Sequence, residues 1–280
     1  MSPDPRFLLL LSPGERFLYR HPNVIPVLLS WRLSPQFTLL RHGPSQPRPG
    51  CILAVSGCDG PLTGSPDSFC RHLEQECLHM GARGVLLDFD QRKPCLSHLI
   101  QNFSHICIRR GWELFLPEWY APAAPKGKVL ISSALSGGTL TERLEQAASR
   151  FGPDRIVLAL ERTAEDFTLP APTGCGTPLS PSDLEQLRRR LSPPIFFSRE
   201  LCARYFTYRN ADGIHFVLFD DPDTLCRKLE CARHAGIRTV LLPWCEVCRA
   251  PERFGLPPVS TPETGQNSPP RNPQNFSVKN

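Results

Sequence analysis

The chain has 280 residues, with 32 Lys and Arg against 27 Asp and Glu and a formal net charge of +5. This length is enough for one large α/β domain or two small ones. The basic residues are scattered and form no Lys/Arg block, so the composition argues against a nucleic-acid partner. The amino-terminal segment 1–17 has an apolar core of only about five residues between prolines, which is too short for a signal peptide or a membrane span.

In the first part of the chain, short apolar runs alternate with helical patterns of apolar residues. The runs predict seven strands, at Phe7–Leu11, Val24–Ser30, Cys51–Gly57, within Gly81–Asp90, and at Glu113–Glu118, Lys128–Ser133 and Arg155–Leu160. The helical patterns predict three helices, at Asp67–Met80, Cys95–Arg110 and Thr139–Phe151. The spacing of Thr139 and Glu142 is that of a capping box. The segment Trp31–Arg41 is predicted as an excursion with a turn at Ser34 and Pro35.

Between Glu161 and Asp221 this alternation breaks. A short helix is predicted at Ser182–Leu191, an aromatic strand around Tyr205–Tyr208 and a further strand at Ile214–Phe219, with a turn at residues 210–213 between the two strands. This pattern indicates an inserted small sheet with its own hairpin. A helix at Asp223–Ala235 and an eighth strand at Arg238–Pro243 complete the order.

Eight strands in mostly β/α order within about 250 residues predict an α/β fold, a TIM-type (β/α)8 barrel. The expected domain is 1–256, with a small α+β insertion at about 162–221 before the last strand. A doubly wound open sheet is the alternative, but no Gly-rich phosphate loop follows the first strand. Residues 257–280 are rich in Pro, Asn and Ser with few apolar residues, so this tail is predicted to be disordered.

Twelve cysteines raise the question of disulfides or metal. Seven of them lie in apolar or helical patterns, where a free Cys behaves as a small hydrophobe: Cys51, Cys70, Cys77, Cys107, Cys202, Cys226 and Cys231. Only Cys245 and Cys248 have metal-ligand spacing, and no second Cys pair or His pair follows them, whereas structural zinc needs four ligands. We therefore expect no metal, no cofactor and a reducing compartment. A Cys-x-x-Cys metal or redox protein is kept as an alternative.

The predicted fourth strand carries two carboxylates. Because side chains alternate along a strand, Leu86, Asp88 and Asp90 share one face, and Val85 and Phe89 lie on the other. Two carboxylates at the end of a buried strand are costly unless they have partners, and in a parallel barrel that end is where chemistry takes place. Asp88 and Asp90 are therefore candidate catalytic residues. The alternative is that they are turn or helix-capping acids just beyond the strand.

The segment Gly84–Asp90 resembles the fourth-strand motif of family 18 glycoside hydrolases. It is most similar to the branch of spore-germination and cortex-lytic N-acetylglucosaminidases, where the motif reads G-V-N-I-D-F-E. The segments 152–167 and 216–244 are similar to the seventh strand and the closing segment of that family, so the resemblance covers residues 6 to 250. It implies a TIM barrel that acts on or binds N-acetylglucosamine polymers of the peptidoglycan or chitin type. It also implies a saccharide partner, and together with the free-thiol pattern and the lack of a visible signal peptide it indicates a cytoplasmic or spore-associated protein.

The resemblance also implies roles for individual residues, and here the chain departs from the family. Asp90 stands where the family has the general-acid Glu, on a stem one methylene shorter, and a misplacement of about 1 Å can cost on the order of a hundredfold in rate. Leu86 stands where the family has the Asn or Asp that orients the substrate's N-acetyl group. Ser132 and Ser133 lie where the family has a Tyr-Asp pair that steadies the intermediate. Only Asp88 is unchanged, so hydrolysis is expected to be weak or lost.

Other groups at the active end of the barrel are candidate substrate-binding residues or replacement acids. Glu118, with Trp119 and Tyr120, follows the fifth strand, and Glu161 follows the seventh. An active hydrolase with its acid reassigned to Glu118 or Glu161 is thus an alternative, as is a plain loop salt bridge for either residue. Trp244 matches the aromatic floor of the family's sugar subsite, or it is a core Trp.

Overall fold

The computed structural model describes residues 5–17, 19–43, 48–57, 60–171 and 174–258. The first half comprises β1 (Arg6–Leu11), β2 (Val24–Leu33), β3 (Leu39–Arg41), β4 (Ile52–Ser56), α1 (Pro66–Met80), β5 (Gly84–Asp88), α2 (Pro94–Arg110), β6 (Glu113–Pro117), β7 (Lys128–Ser132), α3 (Leu140–Phe151) and β8 (Ile156–Ala159). The second half comprises β9 (Ala164–Leu169), β10 (Thr177–Pro178), α4 (Pro181–Leu191), β11 (Phe196–Ser198), β12 (Ala203–Asn210), β13 (Gly213–Phe219), α5 (Pro222–His234), β14 (Thr239–Pro243) and α6 (Trp244–Val247). No helix within the described ranges is long and apolar enough to cross a membrane. The predicted disordered tail lies outside these ranges except for residues 257 and 258.

Eight parallel strands close into a barrel. The order is β1-β2-β4-β5-β6-β7-β8-β14, and β1 pairs in parallel with both β2 and β14, so the ring has no open edge. The helices α1, α2, α3 and α5 connect these strands and pack around them. The predicted α/β class with a TIM-type (β/α)8 barrel is confirmed, and the open-sheet alternative is wrong because β1 pairs on both sides.

The segment predicted as an excursion with a turn forms the end of β2, a turn and the strand β3. Strand β2 continues to Leu33, and β3 returns antiparallel to it, with Trp31 opposite Arg41. Trp31 and Leu33 are buried in the outer core, because a register irregularity between Leu29 and Trp31 shifts the alternation of inward and outward residues. The predicted strand end at Ser30 is therefore corrected to Leu33, and the predicted turn follows it.

The barrel strands divide their side chains between two cores. One set fills the interior of the barrel: Leu8, Ile25, Val27, Ile52, Ala54, Leu86, Phe115, Val157, Ala159 and Leu241. The other set packs outward against the helices, and on β5 it includes Val85 and Leu87, with Phe89 just after the strand. Strand β5 therefore has the predicted phase, with Leu86 inside.

The insertion lies between β8 and α5. It contains an antiparallel five-stranded sheet in the order β10-β9-β13-β12-β11. Helix α4 packs on one face of this sheet, with Leu184 in a cluster with Phe206, Val217 and Phe219. The predicted hairpin is present as β12 and β13. Strands β9, β10 and β11 were not predicted, because they are short and carry polar or exposed residues.

A buried ion pair fastens the insertion to the barrel. Asp220, after β13, lies 2.6 Å from the Nζ of Lys228 on α5, and both side chains are fully buried. The same carboxylate accepts hydrogen bonds from the amide of Thr163 at 2.8 Å and from the hydroxyl of Thr224 at 2.7 Å. Removing one partner of such a pair leaves an uncompensated charge and typically costs about 3–5 kcal/mol. The network joins both ends of the insertion to α5.

The capping box expected at the start of α3 is absent. Thr139 is the N-cap residue, but its side chain accepts no capping hydrogen bond. The first amide of the helix, that of Leu140, donates instead to the carbonyl of Glu200 in the insertion at 2.8 Å. Complete capping boxes occur at the starts of α4 and α5. The prediction for Thr139 and Glu142 was therefore wrong.

Gly84 allows β5 and β6 to approach closely. A Cβ at this position would lie 2.7 Å from the carbonyl oxygen of Glu113 on β6, so the backbone would have to shift. We expect Gly84→Ala to cost about 1–3 kcal/mol, as overpacked sites do, and to lower the melting temperature by several degrees. Gly137→Ala is the matched control, because nothing lies within 4 Å of its added Cβ. Equal melting temperatures for the two variants would contradict this interpretation.

Candidate functional site

A cavity of about 390 Å³ opens at the carboxyl ends of the barrel strands. Its apolar wall is formed by Leu10, Leu29, Ala54, Leu86, Pro117, Leu130, Ala159, Leu160, Leu241 and Pro243. Its polar or aromatic groups are Asp88, Asp90, Trp119, Ser132 and Glu161. No Lys, Arg or His is among the described residues that line it, so three carboxylates share one cavity without a cation in its wall.

Asp88 and Asp90 reach the cavity because of the phase of β5. Asp88 is the last residue of the strand and has the same parity as Leu86, which faces the interior and is only 2% exposed. Asp90 follows by two residues and lines the same cavity. The structure therefore brings together the two acids that the sequence placed on one face. Their catalytic role stays a prediction.

Burial within the cavity, followed by the negative charges of Asp90 and Glu161, raises the pKa of Asp88 to about 6. Solvent reaches the side chain through the cavity mouth, but protein surrounds the carboxyl group on its other sides. Desolvation and like charge both disfavour the ionised form. Near neutral pH, a fraction of Asp88 is thus protonated and able to donate a hydrogen bond.

Glu161 is held at the cavity wall by two serines at the carboxyl end of β7, the last residue of the strand and the one after it. The hydroxyl of Ser132 donates to Glu161 Oε2 at 2.7 Å. The hydroxyl of Ser133 accepts from the amide of Glu161 at 2.9 Å. These serines occupy the place where the resemblance puts a Tyr-Asp pair, and no tyrosine is among the described residues that line the cavity. Of the two replacement acids considered, Glu161 is the one at the cavity.

Glu118 is engaged elsewhere. It forms an ion pair with Arg143 and lies 3.7 Å from Arg150, both on α3. It is not among the residues that line the cavity. The structure therefore favours the salt-bridge interpretation of Glu118.

The two aromatic residues after Glu118 point in different directions. Trp119 lines the cavity and is 37% exposed, with the guanidinium of Arg92 5.3 Å from the centre of its ring. Tyr120 is buried, and its hydroxyl donates to the carbonyl of Gln91 and accepts from the amide of Lys93. Trp119 is thus available to a ligand, whereas Tyr120 fixes the loop after β5.

Trp244 does not line the cavity. Along β14, Leu241 and Pro243 face the cavity, whereas Leu242 belongs to the outer core. Trp244 continues the outward parity, packs against the outer core and meets Tyr19 edge to face at 6.0 Å. Trp244 is therefore not the aromatic floor of this cavity, the core-Trp alternative is favoured, and Pro243 forms the wall there.

A second cavity of about 360 Å³ adjoins the first and shares Asp88 and Asp90 with it. Its far side carries Arg32 and His42, from β2 and the segment after β3. The acidic pair thus lines both cavities. No sequence pattern pointed to Arg32 and His42, because their approach depends on the pairing of β2 with β3.

Metal ligands are not clustered in the described part of the chain, where no group of three or more His, Cys, Asp or Glu side chains is arranged to hold an ion. Cys245 and Cys248 are exposed free thiols, and the Sγ of Cys248 lies 3.7 Å from the carbonyl oxygen of Cys245. The contacts of this pair point to no third or fourth ligand.

The raised pKa of Asp88 predicts a pH-dependent cost. Above pH 6 the Asp88 carboxylate is ionised in the folded chain but better solvated in the unfolded chain, so it lowers the free energy of unfolding. This destabilisation disappears as the pH falls from about 6 to about 3.8, the ordinary pKa of an Asp side chain. We expect Asp88→Asn to raise the melting temperature at pH 8 by about 2 °C, discounted for solvent access, and to have little effect at pH 4. Glu145→Gln, on the exposed face of α3, is the control. A larger gain at pH 4 than at pH 8 would contradict the assignment.

No protein-family model matches the chain, and no curated protein matches it. Solved structures do match. The spore cortex-lytic enzyme SleL of Bacillus cereus is 17% identical with a TM-score of 0.61, and the match covers 91% of this chain and 75% of that one. SleL of Bacillus megaterium QM B1551 is 13% identical with a TM-score of 0.60, covering 86% and 71%. A GH18 chitinase from Cycas revoluta in complex with (GlcNAc)3 is 13% identical with a TM-score of 0.60, covering 89% and 98%. The chain is thus similar in fold to family 18 glycoside hydrolases, including the spore cortex-lytic enzymes.

Proposed function

We propose that the chain is a barrel of the family 18 type that binds N-acetylglucosamine polymers of the peptidoglycan or chitin class, with weak or lost hydrolysis. The observation that carries the proposal is the pair Asp88 and Asp90 at one cavity, at the carboxyl end of the barrel. Similar barrels belong to a chitinase in complex with (GlcNAc)3 and to spore cortex-lytic enzymes, which also supports spore association.

The cavity has the chemistry of an amino-sugar site. A pyranose presents an apolar face and a rim of hydroxyl and amide donors. Leu86, Leu130 and the exposed ring of Trp119 offer apolar and aromatic surface, while the carboxylates of Asp90 and Glu161 accept hydrogen bonds. The few polar groups in an otherwise apolar concave wall fit the general pattern of ligand sites.

Hydrolysis in this family is assisted by the substrate, whose N-acetyl group attacks the anomeric carbon while an acid protonates the leaving oxygen. Asp90 offers the acid on a short stem. Leu86 points into the cavity and can neither donate nor accept, so the acetamide has no partner there. Ser132 is committed to Glu161. Binding can survive these losses, because a protonated Asp88 can still donate to a sugar oxygen.

The second candidate is an active hydrolase with a reassigned acid. Glu161 supports it because it lies in the cavity wall with Asp88 and Asp90. Glu118 gives it little support, since its carboxylate is paired with Arg143. The Cys-x-x-Cys metal or redox alternative rests only on the spacing of Cys245 and Cys248.

Turnover of a β-1,4-N-acetylglucosamine oligomer tests the proposal. Wild type is expected to bind the oligomer in calorimetry but to hydrolyse it slowly. Asp90→Glu alone should restore little, because Leu86 remains, whereas Asp90→Glu combined with Leu86→Asn should raise turnover at least about tenfold over either single change. Any residual wild-type turnover should be lost in Asp90→Asn. Absence of both binding and turnover would refute the proposed function.

Glu161→Gln separates the two candidates. If the acid has been reassigned, wild type turns over robustly, Asp90→Asn leaves the rate unchanged and Glu161→Gln lowers it on the order of a hundredfold, within the range of general acid catalysis. Under the proposed function, Glu161→Gln changes binding modestly and turnover little. Glu118→Gln is the matched control at the same end of the barrel, expected to affect stability only.

A further inference from the structure

The cavity at the carboxyl end of the barrel is rich in hydrogen-bond acceptors and poor in donors. It holds the carboxyl groups of Asp88, Asp90 and Glu161, which accept hydrogen bonds and donate none when they are ionised. The neutral donors among the described side chains that line it are the Ser132 hydroxyl and the indole N–H of Trp119. The Ser132 hydroxyl already donates to Glu161 at 2.7 Å. A ligand that satisfies this cavity therefore supplies donors of its own.

The charged groups in the wall of this cavity all have the same sign. After burial, the negative charges of Asp90 and Glu161 are the causes that raise the pKa of Asp88 to about 6. Three positive groups of the described chain approach the site without lining this cavity: Arg92, Arg32 and His42. Like charge disfavours the ionised form of Asp88, and a cation bound among the acids would relieve that repulsion.

Leu86 makes the cavity a poor match for an N-acetyl group. Its side chain is 2% exposed and lines the cavity, and it offers neither a donor nor an acceptor. An acetamide carries a carbonyl oxygen, which loses free energy when it leaves water without gaining a donor. A primary ammonium carries three N–H donors and no acceptor, as the side chain of lysine does. The acids and Leu86 together therefore favour a free amino group over an acetylated one.

We propose that this cavity selects an amino sugar whose 2-amino group is not acetylated, with the glucosamine ammonium bound among Asp88, Asp90 and Glu161. The polymer is then a de-N-acetylated form of the chitin or peptidoglycan type. This inference rests on the proposed function, because it takes the cavity to be a saccharide site, and it names the form of sugar that the site prefers. The ammonium supplies the cation that the described wall lacks, and the pyranose face lies against the apolar wall and the exposed ring of Trp119.

The attraction for a cationic sugar is local to this cavity. The whole chain has a formal net charge of +5, so the protein as a whole repels a polycationic oligosaccharide. Tight binding of such an oligosaccharide therefore reports an acidic site and not the overall charge of the protein.

Calorimetry of the full chain with two matched tetrasaccharides tests the proposal. The probes are the β-1,4-linked tetramers of glucosamine and of N-acetylglucosamine, at a pH where the glucosamine amines are protonated. We expect the glucosamine tetramer to bind at least about tenfold more tightly, a difference of about 1.4 kcal/mol, and to lose part of this advantage as salt is added. Equal or tighter binding of the acetylated tetramer overturns this inference and leaves the proposed function standing. If neither tetramer binds, the proposed function itself fails.

Variants locate the preference in the cavity. Glu161→Gln removes one carboxylate at nearly constant shape, and it should weaken binding of the glucosamine tetramer about tenfold while changing that of the acetylated tetramer little. Glu145→Gln removes the same charge from the exposed face of α3 and should change neither affinity. Leu86→Asn should narrow the preference, because the new amide can donate to an acetamide.

Tetralysine distinguishes a sugar site from a general cation site. It carries the same number of ammonium groups without pyranose rings, so wild type should bind it at least about tenfold more weakly than the glucosamine tetramer. Equally tight binding of tetralysine, lost in Glu161→Gln, would overturn the assignment to an amino sugar. The wild-type comparisons alone decide, whatever the folding of the variants.

Discussion

Closure of the barrel is the constraint from which the site follows. Because β1 pairs with both β2 and β14, no strand can shift its register without breaking the ring, and every barrel strand has a fixed inward face. On β5 this places Leu86 inside, so residues of the same parity beyond it, Asp88 and Asp90, emerge at the cavity mouth. The glycine at position 84 permits the close contact with β6 that holds this phase. The acids are therefore positioned by the backbone of the whole ring, not by local loop structure.

The structure compensates the desolvation of a buried carboxylate in two different ways. Asp220 is fully buried and satisfied by Lys228 and by two hydrogen bonds, so it can stay ionised as part of the framework. Among the described residues no side chain forms an ion pair or donates a hydrogen bond to the carboxyl group of Asp88, so burial, together with the like charge of neighbouring Asp90, raises its pKa instead. A group kept near its titration point is the kind found at ligand sites more often than in frameworks. The contrast separates a structural acid from a candidate functional one.

The barrel and the orientation of its two acids could be predicted from the sequence because both depend on the local periodicity of apolar residues. The eight apolar runs and the phase of Gly84–Asp90 were sufficient for the barrel and for the shared face of the two acids. The same alternation explains why Trp244 does not reach the cavity. Trp244 lies two residues beyond Leu242, which is on the outer face of β14, so its side chain also points outward. The ion pair of Glu118 with Arg143 and the approach of Arg32 required tertiary contacts between distant segments, which no local pattern contains.

Under the proposed function, the position of Leu86 separates binding from turnover. A sugar bound against an apolar wall loses little from Leu86, since the acetamide methyl and the pyranose face are themselves apolar. Substrate-assisted hydrolysis, by contrast, needs the acetamide oxygen held against the anomeric carbon while the leaving oxygen is protonated, and both conditions must be met in the same transition state. A better-placed acid at position 90 therefore accelerates hydrolysis little if the acetamide is free to rotate, because the acetamide oxygen is then rarely in position to attack. For this reason, the effects of mutating groups that act in the same step are strongly non-additive. In the proposed site, turnover therefore depends on an apolar residue as much as on the acids.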